Sequence, residues 1–366
     1  MNYIEKDLVR IAKRENNTKR NYLVVNQMQG KHIPTSPIGA LKLFDCLADT
    51  FRDKYDVKKM LVVGFAETAT AIGSEVAISL GAKYIQTTRE VIPSVEYLFF
   101  SEEHSHATEQ KLVKDDIDAV AAEIDRIVFV EDEVTTGNTI LNIISILEKK
   151  YSNKFKYSVA SILNGMSEES LKLYQEKAID LFYLVKTEHS KYGEVADGFA
   201  CDGNYYDCIE RNPKEYSEIR VDGLVNARRL VEAKDYHEGC DKLCDTILKT
   251  LGNISNKRIL VMGTEECMYP ALYVGRKLEE EGNEVLSHST TRSPIAVSCE
   301  ADYPLHDRYQ LRSLYDDDRK TFIYDIGEYD NIIIVTDATN SESLGTTTLI
   351  NAVAAKNEKI LLIRWC

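Results

Sequence analysis

Residues 128–140 read "VFVEDEVTTGNTI": an apolar run, a cluster of acids, and a Thr-Thr-Gly turn ahead of an apolar helical pattern. A Thr- and Gly-rich loop between a strand and a helix offers backbone N–H groups, hydroxyls and the partial positive charge of a helix N-terminus, which together cradle a phosphate. Gly137 permits a left-handed turn or close backbone approach, and the hydroxyls of Thr135, Thr136 and Thr139 can donate to phosphate oxygens. Glu131 and Asp132 would repel that phosphate, so they need another partner. Vicinal sugar hydroxyls suit them, because an ionised carboxylate only accepts and a diol supplies two donors. A sugar phosphate satisfies both halves of the stretch.

The surrounding sequence predicts the elements that hold this loop. "MLVVGFAETATAIGSEVAISLGAKYIQTTRE" (60–90) reads as an apolar strand, a turn, a helix and a second strand, and "RIVFVEDEVTTGNTILNIISILEKK" (126–150) repeats strand, loop and helix. Apolar strands alternating with helices imply a parallel sheet covered on both faces, with ligands beyond the carboxyl ends of the strands. Gly64 to Thr68 and Glu131 to Thr139 are therefore expected as loops on one rim.

The second half echoes the first. "RILVMGTEECMYPALYVGRKLEEEGNEVLSHSTTRSP" (258–294) repeats strand, turn, helix and strand, and Thr-Thr-Arg recurs at 87–89 and 290–292. From Gly64 to Thr87 is 23 positions and from Gly263 to Thr290 is 27. "DNIIIVTDATNSESLGTTTLI" (330–350) then matches 125–144. The long period means a duplicated domain, not a short-repeat solenoid. The polar stretch 208–230 breaks the pattern, which puts the boundary near 228 and gives domains 1–228 and 229–366.

At 366 residues the chain exceeds the usual single-core size. A net charge of −14 argues against a nucleic-acid surface, which needs clustered Lys and Arg against phosphates. No stretch approaches the roughly 18 to 20 apolar residues of a membrane span, and the opening residues lack an apolar signal core, so a cytoplasmic protein without a membrane partner is expected. The eight cysteines are too sparse for a disulfide scaffold and include no CxxC pair. They read as reduced thiols. Cys240 and Cys244, four apart with His237 nearby, do not have zinc-site spacing.

The apolar strand, acidic pair and Thr-Thr-Gly loop resemble the PRPP-binding motif of type I phosphoribosyltransferases, with Glu131 where the usual first Asp stands. "VVGFAET" (62–68) is similar to the loop of that family that holds the PRPP pyrophosphate. "RNYLVVNQMQGKHIPTSP" (20–37), "EEHSHAT" (102–108) and "STTRSP" (289–294) further resemble the phosphoribosyltransferases that carry a C-terminal TRSP domain, which are associated with tellurite-resistance and stress-response operons. The resemblance covers about 20–225 and 255–365. It implies two Rossmann-like α/β units with central parallel sheets, the N-terminal one of type I phosphoribosyltransferase fold and the C-terminal one a divergent copy. It implies PRPP held by Gly64, Phe65, Ala66, Glu67, Thr68, Glu131, Asp132, Thr135, Thr136, Gly137, Asn138 and Thr139; Arg89, which follows the strand "YIQTT" on the same rim, could meet pyrophosphate or could be a solvated strand-end arginine. The reaction would join ribose 5-phosphate to a base-like acceptor with release of pyrophosphate, in the biosynthesis of a nucleoside-like compound. Mg²⁺ is the expected cofactor, without a dedicated protein cage, and a homodimer the expected assembly. A PRPP- or nucleotide-sensing regulatory protein is the alternative.

His104 and His106 fall where this fold class carries a mobile loop, and could touch pyrophosphate or protonate a leaving oxygen; idle loop histidines are the plain alternative. Lys31 and His32 in "QGKHIP" could contact the acceptor from a small hood, or could simply form a turn. In the second half, Asn340-Ser341-Glu342 replaces Thr-Thr-Gly, and a glutamate there opposes phosphate. PRPP binding is not expected at that position. Glu265, Arg292, His306, Arg308 and Asp337, with Arg312 and Arg319, could take a different anion. A degenerate duplicate kept for folding or dimerisation is equally compatible with the sequence.

Overall fold

The computed structural model describes residues 3–15, 20–100, 110–208 and 214–366. The first elements in the chain are α1 (Glu5–Leu8), β1 (Val9–Lys13), β2 (Tyr22–Asn26), α2 (Pro37–Asp49), β3 (Met60–Gly64), α3 (Thr70–Leu80) and β4 (Lys83–Gln86). Then come β5 (Tyr97–Phe100), β6 (Gln110–Val113), α4 (Lys114–Val120), β7 (Arg126–Val134), α5 (Asn138–Tyr151), β8 (Lys156–Asn164), α6 (Glu168–Glu176) and β9 (Asp180–Lys186). They are followed by α7 (Tyr192–Asp197), β10 (Asn204–Asp207), β11 (Ser217–Val221), β12 (Val231–Glu232), α8 (Ala233–Leu251), β13 (Arg258–Gly263) and α9 (Tyr269–Glu280). The last are β14 (Glu284–Ser289), β15 (Asp307–Arg312), β16 (Lys320–Tyr324), β17 (Asn331–Thr336), α10 (Leu344–Val353) and β18 (Ile360–Trp365). No helix among the described residues is long and apolar enough to cross a membrane.

The chain packs as two compact units that are discontinuous in sequence. The first comprises residues 1–5, 41–188 and 225–238, and the second 6–40, 189–224 and 239–366. A single cut at residue 228 therefore does not follow the packing. The reason lies in the apolar residues: Ala12, Leu23 and Val25 of β1 and β2 share a buried cluster with Ile295, Val297, Tyr303, Leu305, Phe322 and Tyr324.

In the first unit, β4, β3, β7 and β8 run parallel in that order, with β9 beyond β8 and the short antiparallel β12 at the opposite edge. Every residue of β3 is buried, as a strand covered on both faces requires. The second unit repeats the scheme: β14, β13, β17 and β18 run parallel in the corresponding order, with β11 at the β18 edge. Each unit also inserts an antiparallel pair between its second and third core strands, β5 with β6 in the first and β15 with β16 in the second. Both are α/β units with parallel sheets of one strand order.

Hydrogen bonds make the correspondence specific. Thr87 N–H donates to Gly64 O at 2.9 Å, and Thr290 N–H to Gly263 O at 3.1 Å. Ala66 N–H donates to Thr87 Oγ1 at 2.8 Å, and Glu265 N–H to Thr290 Oγ1 at 3.0 Å. Thr88 exchanges two backbone bonds with Lys111, as Thr291 does with Phe322. In both sheets the strand-ending glycine pairs with a valine, Gly64 with Val130 and Gly263 with Val335, so Asp132 and Asp337 hold the same register.

The first turn of α10 lies directly on the backbone after β15. A Cβ on Gly345 would stand 2.2 Å from Ser313 O and 2.5 Å from Leu314 N, atoms that cannot move aside alone. Gly345→Ala should therefore destabilise the second unit by about 3 kcal/mol, the upper range for overpacking. Urea unfolding followed by tryptophan fluorescence would report it, since the chain has one Trp, Trp365, in the same unit. An unchanged midpoint would contradict this contact.

Candidate functional site

Two loops meet at the carboxyl edge of the first sheet. One follows β3 and runs from Phe65 to Ala69 into α3; the other follows β7 and ends on Gly137, which caps α5 with φ of 76°. Glu131 and Asp132, expected in a loop, lie instead within the last residues of β7, which runs on to Val134 because Glu131, Glu133 and Val134 pair with Ser161, Leu163 and Asn164 of β8. The acids thereby inherit the rigidity of a central strand. Thr135, Thr136 and Asn138 are partly exposed around Gly137, as is Thr139 in the first turn of α5. Asn138 N–H donates to Thr136 Oγ1 at 3.2 Å, closing a local turn at the helix start.

The loop after β3 is held by a closed ring of bonds. Ala66 N–H donates to Thr87 Oγ1, the Thr87 hydroxyl to Gln110 Oε1 at 2.6 Å, and Gln110 Nε2 back to Ala66 O at 2.7 Å. All three residues are buried. Phe65 is tied by its N–H to Val130 O at 3.1 Å, Glu67 is buried with its carbonyl accepting from Thr70 Oγ1, and the Ala66–Glu67 peptide is cis. Thr68 then joins this loop to the end of β7: its hydroxyl donates to Asp132 Oδ1 at 2.9 Å. Burial, and next the neighbouring Glu133, hold the Asp132 carboxyl above its ordinary range.

Gly137 is fixed from a distance. The buried Tyr174 of α6 donates its hydroxyl to Gly137 O at 2.7 Å, and a Cβ at position 137 would fall 2.2 Å from that hydroxyl oxygen. The sequence gives no sign of this tyrosine, which reads as one more apolar position of an amphipathic helix. Gln110 is equally silent. The Thr87 ring did leave a trace, the recurring Thr-Thr-Arg. Arg89 follows Thr88 on this rim, where Thr88 O and N–H pair with Lys111. His104 and His106 lie outside the described residues.

Lys31 and His32, expected as acceptor contacts, belong to the second unit. Both are buried in the second unit, where Lys31 Nζ donates to Glu265 O at 3.2 Å and Thr290 O at 3.0 Å. Its first bond reproduces the one that Gln110 makes to Ala66 O, so this lysine supports a loop.

The second sheet gathers only part of the set expected there. Glu265, Arg292, Arg319 and Asp337 meet at its carboxyl edge, with Ser313 and Tyr315. Glu265 accepts from Arg292 Nε at 2.8 Å, from Arg319 Nη1 at 2.9 Å and from the Ser313 hydroxyl. Tyr315 donates to Asp337 Oδ1 at 2.6 Å. His306 and Arg308 are placed elsewhere, toward the opposite end of β15 from Ser313, about 16 Å from it for Arg308 at strand rise. His306 Nδ1 bonds Ser298 O, and Arg308 pairs with Glu15 at 2.8 Å beneath Tyr205. Glu342, expected to face the anion position, is exposed, and the carboxylate that meets the arginines is that of Glu265. Among the described residues no group of three or more His, Cys, Asp or Glu is arranged to hold a metal ion.

A family model described as "Phosphoribosyl transferase" matches residues 8–189, and one described as "TRSP domain C terminus to PRTase_2" matches residues 229–353. No curated protein matches the chain. Among solved structures, adenine phosphoribosyltransferase from Rhodothermus marinus is 14% identical, with a TM-score of 0.37 over 50% of this chain and 96% of its own. The enzyme from Trypanosoma brucei, in complex with AMP, pyrophosphate and ribose-5-phosphate, is 14% identical, with a TM-score of 0.34 over 49% and 76%. That from Thermoanaerobacter pseudethanolicus is 15% identical, with a TM-score of 0.37 over 50% and 97%.

Proposed function

Because this chain belongs to the phosphoribosyltransferases that carry a C-terminal TRSP domain, we propose that its first unit transfers ribose 5-phosphate from PRPP to a base-like acceptor. The observation that carries the reading is the Thr68–Asp132 bond, which sets a rigid loop and an acid on one rim beside the Gly137 helix start. The N–H groups at the start of α5 would take the 5-phosphate. The carboxylates of Glu131 and Asp132 would accept from the ribose diol, and the loop 65–68 would hold pyrophosphate through its backbone.

In this reaction the bond from ribose C1 to the pyrophosphate oxygen breaks, its electron pair leaves with pyrophosphate, and a bond to the acceptor atom forms at C1. The protein's contribution is then position and charge, with no covalent intermediate needed. The Glu131 and Asp132 carboxylates at this rim suit a Mg²⁺ that would be held mostly by substrate and water, with one of them nearby. Such an ion would neutralise charge on the leaving pyrophosphate.

The test is pyrophosphate release from PRPP and Mg²⁺ across a panel of purine, pyrimidine and related heterocyclic bases. Base-dependent release, lost in Asp132→Asn, is expected. Saturable PRPP binding without release for any base would favour the sensor reading instead, and no PRPP binding would remove both.

A further inference from the structure

The second unit keeps the framework of the first unit's loop and changes what fills it. Gly263 ends its strand as Gly64 does, Thr290 replaces Thr87 bond for bond, and Arg292 follows Thr290-Thr291 as Arg89 follows Thr87-Thr88. By that register Glu265 stands where the first unit has Ala66. A methyl group in one loop becomes a carboxylate in the other.

That carboxylate is 1% exposed, and the groups around it are those that would bind an anion arriving from solution. Two guanidinium groups converge on Oε2, and a hydroxyl donates to Oε1. Arginine recognises carboxylate and phosphate through the same planar fork of donors. Arg292 comes from just beyond β14, and Ser313 and Arg319 from either side of the turn between β15 and β16, so two separate segments supply the cradle. A buried carboxylate needs one such partner; two leave the cluster with a positive excess that Glu266, 3.8 Å from Arg292, and Asp316, 3.5 Å from Arg319, offset from farther away.

We propose that the Glu265 carboxylate is an internal substitute for a phosphate group: the second unit retains an anion cradle, and the protein occupies it with its own side chain. The ligand class of the uncovered cradle is inorganic phosphate or pyrophosphate. In the intact protein these anions are excluded because Glu265 holds Arg292, Arg319 and Ser313.

The experiment is a calorimetric titration of the full chain with pyrophosphate, in buffer free of other multivalent anions, for the parent, Glu265→Ala, and Glu265→Ala combined with Arg319→Ala. Glu265→Ala should bind one pyrophosphate more than the parent, and the combined variant should lose that extra site. The comparison is independent of the first unit's function, since a parent that binds none would move to one, and a parent that binds one would move to two. Removing the carboxylate leaves two partly buried guanidinium groups with only the more distant Glu266 and Asp316 to offset them, so Glu265→Ala could fail to fold without ligand. Glu265→Gln is then titrated in its place, and for both variants the unfolding midpoint should rise with pyrophosphate more steeply than the parent's. Equal stoichiometry in parent and variants, an extra site that survives loss of Arg319, or failure of both variants to fold at any pyrophosphate concentration would each overturn the proposal.

Discussion

Gly137→Val should abolish measurable binding of ribose 5-phosphate, a loss of more than 100-fold, and also destabilise the first unit by about 3 to 5 kcal/mol. The sequence alone suggests that the fold would be left largely intact, because a turn glycine reads as a local matter. The structure adds Tyr174: a Cβ at 137 would lie 2.2 Å from its hydroxyl and 2.6 Å from Cζ, and the ring is fully buried with nowhere to retreat. A β-branched residue is further penalised at φ of 76°. Calorimetry with ribose 5-phosphate and a urea melt separate the two effects. Tyr174→Phe is the control, since it removes the bond to Gly137 O without adding bulk and should cost only about 1 to 3 kcal/mol. Undiminished ribose 5-phosphate affinity in Gly137→Val would move the cradle away from this helix start.

Asp132→Asn should move binding and stability in opposite directions. An amide accepts the ribose hydroxyls through one oxygen and without charge, so PRPP affinity should fall by about 10- to 150-fold, the equivalent of about 1.5 to 3 kcal/mol for a hydrogen bond to a charged group. Stability should rise. Burial and Glu133 raise the carboxyl's pKa in the folded state, so the folded protein binds that proton more tightly than the unfolded chain. Ionising the group therefore costs stability as pH climbs from the ordinary carboxylate range through the raised value, and the cost persists above it. The variant lacks this slope. Its melting temperature should match the parent's in acid and exceed it near neutrality; a parent that is the more stable protein at pH 7 would show that Asp132 is compensated by groups other than Thr68.

The parts of the fold visible in the sequence were those whose causes are local. The apolar runs at 60–64 and 126–130 could only be covered strands, and the two copies of Thr-Thr-Arg marked a buried threonine that performs the same task in each unit. Distance hid the rest. No periodicity tells that Lys31 supports Glu265 O from 234 positions away, or that Tyr174 supports Gly137 from 37. The basic residues of 306–319 are close together along the chain, but a β-strand carries its two ends well apart, and of this run Arg319 is the one that bonds Glu265. Glu342 stands opposite Gly137 when the two halves are compared, yet Glu265, two residues past the strand-ending Gly263 in an otherwise matching loop, carries the contact.

The discontinuous packing has a consequence during synthesis. Strands β1 and β2 leave the ribosome well before the residues that cover Ala12, Leu23 and Val25, which run from Ile295 to Tyr324. At about 5 to 20 residues per second, roughly 15 to 60 s separate the two events. The first unit, whose last segment ends at residue 238, can close within that interval. At that stage the first sheet can be complete while Ala12, Leu23 and Val25 of β1 and β2 still lack the residues that cover them, which leaves these apolar side chains open to a chaperone while translation continues.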